Sequence, residues 1–182
     1  MDGKLPPYTH IPGITPHPIR DPAGHSYQEP KSLAEILESG RHQAAVTLEN
    51  LPQHPEFARA VTLFNAGYYW EAHEEWESLW HRAGRTGLAA DYLKGLIKLA
   101  AAGVKLRERN ASGVERHAQR AHELFESVEG GIPSDCDRTV GMALPRLMAL
   151  AERLIHQPPP FPEDRTGQPV VALPRLPAVI TP

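Results

Sequence analysis

The 182 residues carry 19 Lys and Arg against 22 Asp and Glu, a formal net charge of −3, and a single cysteine, Cys136. That balance has no basic excess to hold nucleic acid, one cysteine excludes an intramolecular disulfide, and no run approaches the ~18 apolar residues of a membrane span. With Asp2, Pro6 and Pro7 where a leader would be apolar, the chain reads as cytoplasmic, with neither nucleic acid nor membrane as partner.

Proline marks the boundaries. Of 19 prolines, seven fall between Pro6 and Pro30 and eight between Pro158 and Pro182. Proline lacks an N–H and fixes its own φ, so neither end forms a long helix. Residues 1–30 and 158–182 are expected to be extended arms around a helical domain, 31–157. Ile11, Ile14, Val170, Val171, Leu173, Leu176 and Ile180 give the arms enough apolar surface to dock rather than stay free.

Inside the body the apolar period is helical throughout, and the expected class is an all-α bundle of five to six helices. Ser32 with Glu35 forms a capping box for a first helix over 33–48. Pro55 suits the first turn of a second helix, which closes at Asn65-Ala66-Gly67 with the glycine at the left-handed C′ position. A third helix runs over 68–81, and a fourth, rich in Leu, Ala and Gly, over 89–109. Asn110 or Ser112 caps a fifth, with Ser112 and Glu115 as a second capping box, and Gly130-Gly131 ends it. A last helical region covers 135–156, where Pro145 either breaks the helix or opens a new first turn.

The third helix is the exceptional one. Residues 64–80 hold all three tryptophans, four glutamates and His73. Wound at ~100° per residue, Tyr69, Ala72, Trp76, Leu79 and Trp80 share one arc that must face the core. His73 and Glu77 fall on its shoulder, with Trp70 beyond them, while Glu71, Glu75 and Ser78 point largely the other way. A polar group on such a shoulder needs a partner, and His73 and Glu77 stand at i and i+4, close enough to share one.

Three chemistries compete there. His73-Glu74-Glu75-Trp76-Glu77 matches H-E-x-x-E, which resembles the zinc-binding H-E-x-x-H with a glutamate as second ligand. That reading makes His73 and Glu77 ligands to a divalent metal and Glu74 the base, and needs a further ligand from His81, Asp91, His117 or His122. General acid–base work by His73 and a glutamate is the second. The third is structural, with His73 bonded to a buried acceptor and the glutamates in salt bridges. Lys94, Lys98 and Lys105 fall within ~40° on the fourth helix. Against Glu74 and Glu77 this stripe neutralises them and opposes a cation; opening on a cleft, it suits an anionic substrate.

The residues Leu63-Phe64-Asn65-x-Gly67-x-Tyr69-Trp70-Glu71-Ala72-His73-Glu74-x-x-Glu77-x-x-Trp80 resemble the signature of the family known as domain of unknown function 309. Gly95-Leu96-Ile97 with Ala100-Ala101-Ala102, and Asn110-x-x-Gly113, are similar to its second and third blocks, so the likeness spans about 57–125. The resemblance implies a helical fold without established activity, sometimes described as a predicted metal-dependent hydrolase. It implies a functional cluster of Glu71, His73, Glu74 and Glu77, adding Glu71 to the ligand candidates, with Asn65, Trp80 and Asn110 nearby. The chain departs from the family where Lys94 and Lys98 replace the usual glutamines and Lys105 an often-seen histidine.

A different class is also legible. Ala60-x-x-Leu63-x-x-x-Gly67-x-Tyr69-x-Glu71-Ala72 echoes one tetratricopeptide hairpin, in which the glycine lets two helices approach and the tyrosine fills the gap. No 34-residue repeat follows, so the alternative is an interaction or homo-oligomerisation module containing a single such hairpin.

Overall fold

The computed structural model describes residues 5–29, 45–132 and 142–176. Among these the protein is all-α, with five α-helices, one short 3₁₀ turn and no strand. The 3₁₀ turn is Leu51–Gln53, followed by α1 (Pro55–Asn65), α2 (Tyr69–Arg82), α3 (Leu88–Arg107), α4 (Ala111–Gly131) and α5 (Leu144–His156). Most of the helix expected over 33–48, with Ser32 and Glu35, lies outside the described residues, as do Cys136, Ile180 and the start of the last expected helical region.

The chain over 45–48 is not helical. Asn50 accounts for this: its Oδ1 accepts from Thr47 N–H at 2.8 Å and its Nδ2 donates to Ala45 C=O at 2.9 Å. A short amide that takes up nearby backbone groups offers the chain an alternative to the helical ladder.

The ends of the helices follow local chemistry. Pro55 occupies the first turn of α1, where its missing N–H costs nothing. Gly67 has φ +86°, its N–H donates to Phe64 C=O at 3.0 Å, and Tyr68 N–H donates to Leu63 C=O at 2.9 Å. Those two bonds are a Schellman closure. Asn110, and not Ser112, caps α4, accepting from Gly113 N–H at 2.8 Å. Ser112 lies in the first turn and its hydroxyl donates back to Asn110 Oδ1, so the expected box with Glu115 does not form. Pro145 opens α5.

Consecutive helices pack on one another, and α3 lies between α2 and α4. Tyr92 on α3 is fully buried, with the rings of Phe57 (α1) and Phe125 (α4) 6.4 and 6.1 Å away. Burying each such side chain stabilises the fold by roughly 1.5–3 kcal/mol. Gly103 lets α2 approach α3: a Cβ there would sit 2.5 Å from the Tyr69 ring. Trp76 and Leu79 are fully buried as expected, whereas Trp80 is only half-buried.

Both proline-rich segments lie on the helices. Ile11, Leu173 and Leu176 are buried, while Ile14 and Val171 stay exposed. Arg107, only 4% exposed at the end of α3, donates to Gln168 C=O at 2.9 Å and pairs with Asp164 at 3.2 Å. The two segments also meet each other, Thr9 N–H donating to Gly167 C=O at 2.9 Å.

Candidate functional site

The signature residues of α1 and α2 divide into two sets with different partners. One set holds the arms. Asn65 makes two hydrogen bonds to a single residue, Oδ1 accepting from Leu176 N–H at 2.7 Å and Nδ2 donating to Leu176 C=O at 3.0 Å. The Tyr69 hydroxyl accepts from Ala172 and Leu173 N–H at 2.9 and 2.8 Å. The Tyr68 hydroxyl donates to Pro6 C=O at 2.8 Å. Gly67 admits the C-terminal arm, since a Cβ would lie 2.6 Å from the Val170 backbone.

Glu71 belongs to this set, which corrects the expectation that it faces away from packing. It is 7% exposed. Its Oε2 accepts from the Thr9 hydroxyl and its Oε1 from His10 N–H, both at 2.8 Å, with His25 Nε2 at 3.4 Å. A helical wheel sees only its own helix; the face opposite the core is covered by the N-terminal arm. In the tetratricopeptide-like spacing, Gly67 makes room for an arm, and Tyr69 packs edge-on against Phe64 of α1 at 5.2 Å while also filling the gap left by Gly103.

The second set is His73, Glu74 and Glu77. Each offers one ligand atom, and these atoms lie within 4.8 Å of one another. His73 Nδ1 is buried and has no hydrogen-bond partner; Glu74 Oε1 lies 3.5 Å from it. Trp70 stacks on the His73 ring with centroids 5.9 Å apart, and His10 packs edge-on against Trp70 at 4.6 Å. The arm thus closes the aromatic side of the group. Glu74 and Glu77 line a cleft of about 550 Å³ whose walls include Trp70 and His81 of α2 and Pro18, Ile19 and His25 of the arm. Glu75, in the same cleft, is occupied by Arg59 at 2.8 Å, and burial pushes its carboxyl above the usual range despite that guanidinium.

The lysine stripe does not close on these carboxylates. Among the described residues no ion pair within 4 Å joins Lys94 or Lys98 to Glu74 or Glu77. Lys94 Nζ lies 5.8 Å above the half-buried Trp80 ring, with Arg85 also 5.8 Å from it, and Lys105 pairs with Glu108 at 2.6 Å. Burial holds the Lys98 ammonium below its usual pKa, with Lys94 and Arg120 acting the same way and Glu77 opposing. Positive charge therefore stands beside the group without occupying it.

The further ligand candidates are dispersed. None of His81, Asp91, His117 and His122 falls within the 4.8 Å group. His81 accepts from Arg85 at 2.9 Å and His122 meets Glu152 at 3.3 Å. His117 is held near pKa 4, first by burial and then by Lys98, Arg116, Lys105 and His73. Asn110 is spent on its helix cap. Residues with a definite task that the sequence reading missed are Thr9, His10, Tyr68 and Arg107, all serving the arms; only the buried-polar character of Arg107 on an apolar helix gave a signal.

No curated protein matches the chain. Residues 57–117, a third of its length, match the model of the family described as Domain of unknown function (DUF309), the family that the α1–α2 signature resembles.

Proposed function

We propose that the protein is a metal-dependent hydrolase in which His73 and Glu77 hold a divalent cation and Glu74 is the base. The observation that carries this reading is that His73, Glu74 and Glu77 each bring one possible ligand atom within 4.8 Å of the others, which supplies two protein ligands and an adjacent base. One imidazole with carboxylates suits zinc, manganese or iron. A divalent ion bound there would supply a Lewis acid and acidify its water. The protein's own contribution is positional. Trp70 stacked on His73 fixes the imidazole plane. Glu74, which lines the cleft, would accept a proton from a water there. Pro18 and Ile19 across the cleft give the apolar part of a substrate a surface and limit solvent.

A second reading rests on a separate observation, the use of Asn65, Tyr69 and Glu71 to hold the arms. In it α2 is a scaffold and the glutamates are its solvated face. Elemental analysis of untagged protein purified without added metal separates the two. The hydrolase reading expects about one zinc, manganese or iron per chain, lost in His73→Ala and Glu77→Gln. It expects Glu74→Gln to keep the metal while losing turnover of a p-nitrophenyl ester and phosphate panel. Less than about a tenth of an ion per chain, unchanged by His73→Ala, would sink it and leave the scaffold.

A further inference from the structure

We infer that the groove between α5 and the C-terminal arm is a binding site for a small organic anion, a phosphate or carboxylate head on an apolar body. The groove encloses about 330 Å³ and is lined by Arg146, Arg153 and Arg175 around Leu147, Leu150 and Leu176. It shares no lining residue with the cleft of Glu74 and Glu77, and the inference does not depend on the hydrolase reading.

The sequence builds each wall in a different way. Arg146 and Arg153 are seven apart on α5, about two turns, and so stand on one face roughly 10 Å apart along the axis. Leu147 and Leu150 are buried beside them and give that face an apolar floor. The opposite wall is extended chain that needs outside support. It is fixed at Leu176 by both polar atoms of Asn65 and at Ala172 and Leu173 by the Tyr69 hydroxyl. Arg175 is thereby carried by a wall pinned on either side of it, and the groove is preformed.

Charge decides the ligand. None of the three guanidiniums has an ion pair or side-chain hydrogen bond among the described residues. Arg59, Arg82, Arg107 and Arg120 each meet a carboxylate and Arg85 and Arg109 lie over aromatic rings, so what sets the groove apart is that it gathers three of the remaining guanidiniums. The acid nearest in sequence on α5, Glu152, is directed at His122 of α4. The three arginines are exposed, so solvent moderates their mutual repulsion, but three like charges unpaired among the described residues around one groove still favour an anion between them. Guanidinium forks match the two oxygens of a carboxylate or phosphate, while the leucine floor takes an alkyl or aromatic group. The volume lies at the lower end of the ~300–1,000 Å³ of small-molecule pockets, which fits one ring or a short chain better than a polymer.

Calorimetric titration of the full chain with phenyl phosphate and benzoate, against inorganic phosphate and phenol, tests this. We expect phenyl phosphate or benzoate to bind about tenfold more tightly than either fragment control, the two heads showing which anion is preferred. The Arg146→Ala/Arg153→Ala double variant should weaken binding about tenfold or more, with partial recovery in the double lysine variant and an unchanged melting temperature. Asn65→Ala, which frees the Arg175 wall, should weaken it as well, while Arg116→Ala should not. No saturation by ~10 mM of either anion, or equal affinity in the double alanine variant, would overturn the inference. So would an RNA oligonucleotide or an acidic peptide binding through these arginines while neither small anion does.

Discussion

Thr9 and Glu71 are joined by a 2.8 Å hydrogen bond across 62 positions of sequence, from the Thr9 hydroxyl to Glu71 Oε2. With His10 N–H on the other oxygen, one carboxylate of the signature helix fastens the N-terminal arm over the His73 group. Glu71→Ala leaves two buried donors without an acceptor, each worth about 1–3 kcal/mol, so the variant should lose roughly 2–6 kcal/mol in urea unfolding. Glu71→Gln, with a single acceptor oxygen, should lose about half as much. Limited proteolysis should cut first between residues 5 and 29. Wild-type stability and an uncut arm in Glu71→Ala would dismiss the fastening role.

Asn65 provides the matching test for the other arm. Asn65→Asp keeps the acceptor for Leu176 N–H but sets a carboxylate oxygen against Leu176 C=O in place of the donor. The loss should be about 1–3 kcal/mol, with earlier cleavage beyond residue 158. If Asn65 served the His73 group instead, Asp would lower metal content and leave arm cleavage unchanged.

These two residues also mark where sequence reasoning reached and where it stopped. The Schellman closure at Gly67, the first-turn prolines of α1 and α5, the burial of Trp76 and the pairing of His73 with Glu77 all depend on spacing along one helix, and spacing is visible in a sequence. Glu71, Asn65 and Tyr69 meet partners 46 to 111 positions away, which no periodicity encodes. The lysine stripe was legible as a stripe, but its partners were not. Lys94 turns to an aromatic ring and Lys105 to its own helix because the neighbouring surfaces, rather than the angle on the wheel, choose the contact.

The histidines predict an acid-sensitive fold. Burial is the first cause holding His117 near pKa 4, and it also lowers His10 and His54. A folded pKa below the unfolded ~6.5 means that the unfolded chain binds more protons between the two values. Stability from these groups is therefore complete above about pH 6.5 and is lost as pH falls toward 4. Glu75, raised by burial, works in the opposite sense just above its ordinary value. Urea midpoints should fall steadily from pH 7 to about pH 4, and His117→Asn should flatten that slope. A slope identical in the variant would remove His117 as its source.

Gly67→Ala tests the passage of the C-terminal arm. The residue has φ +86°, and the added Cβ would lie 2.6 Å from the Val170 backbone, which cannot give way as a side-chain tip does. The left-handed strain costs about 1–2 kcal/mol on its own, and the displaced arm adds to it. Asn65→Ala made in the Gly67→Ala background should then cost much less than in wild type, because the arm it holds has already moved. Full additivity in a double-mutant cycle would mean that the arm stays seated and the glycine matters only to the helix end.

Lys98 stands beside the candidate metal group and carries the charge that bears most directly on it. Its ammonium is partly buried, and Glu77 is the acid that acts on it electrostatically. Lys98→Gln removes a positive charge beside Glu77 without touching a proposed ligand. Screened by the solvent that reaches these partly exposed groups, such a charge is expected to weaken binding of a divalent cation by about three- to tenfold, so the variant should bind zinc or manganese more tightly by that factor. The double variant with Lys94 should add less, since Lys94 is drawn toward Trp80. Metal affinity that is unchanged or weaker in Lys98→Gln would show that the ammonium does not oppose a cation at Glu77, and the electrostatic account of the site would fall with it.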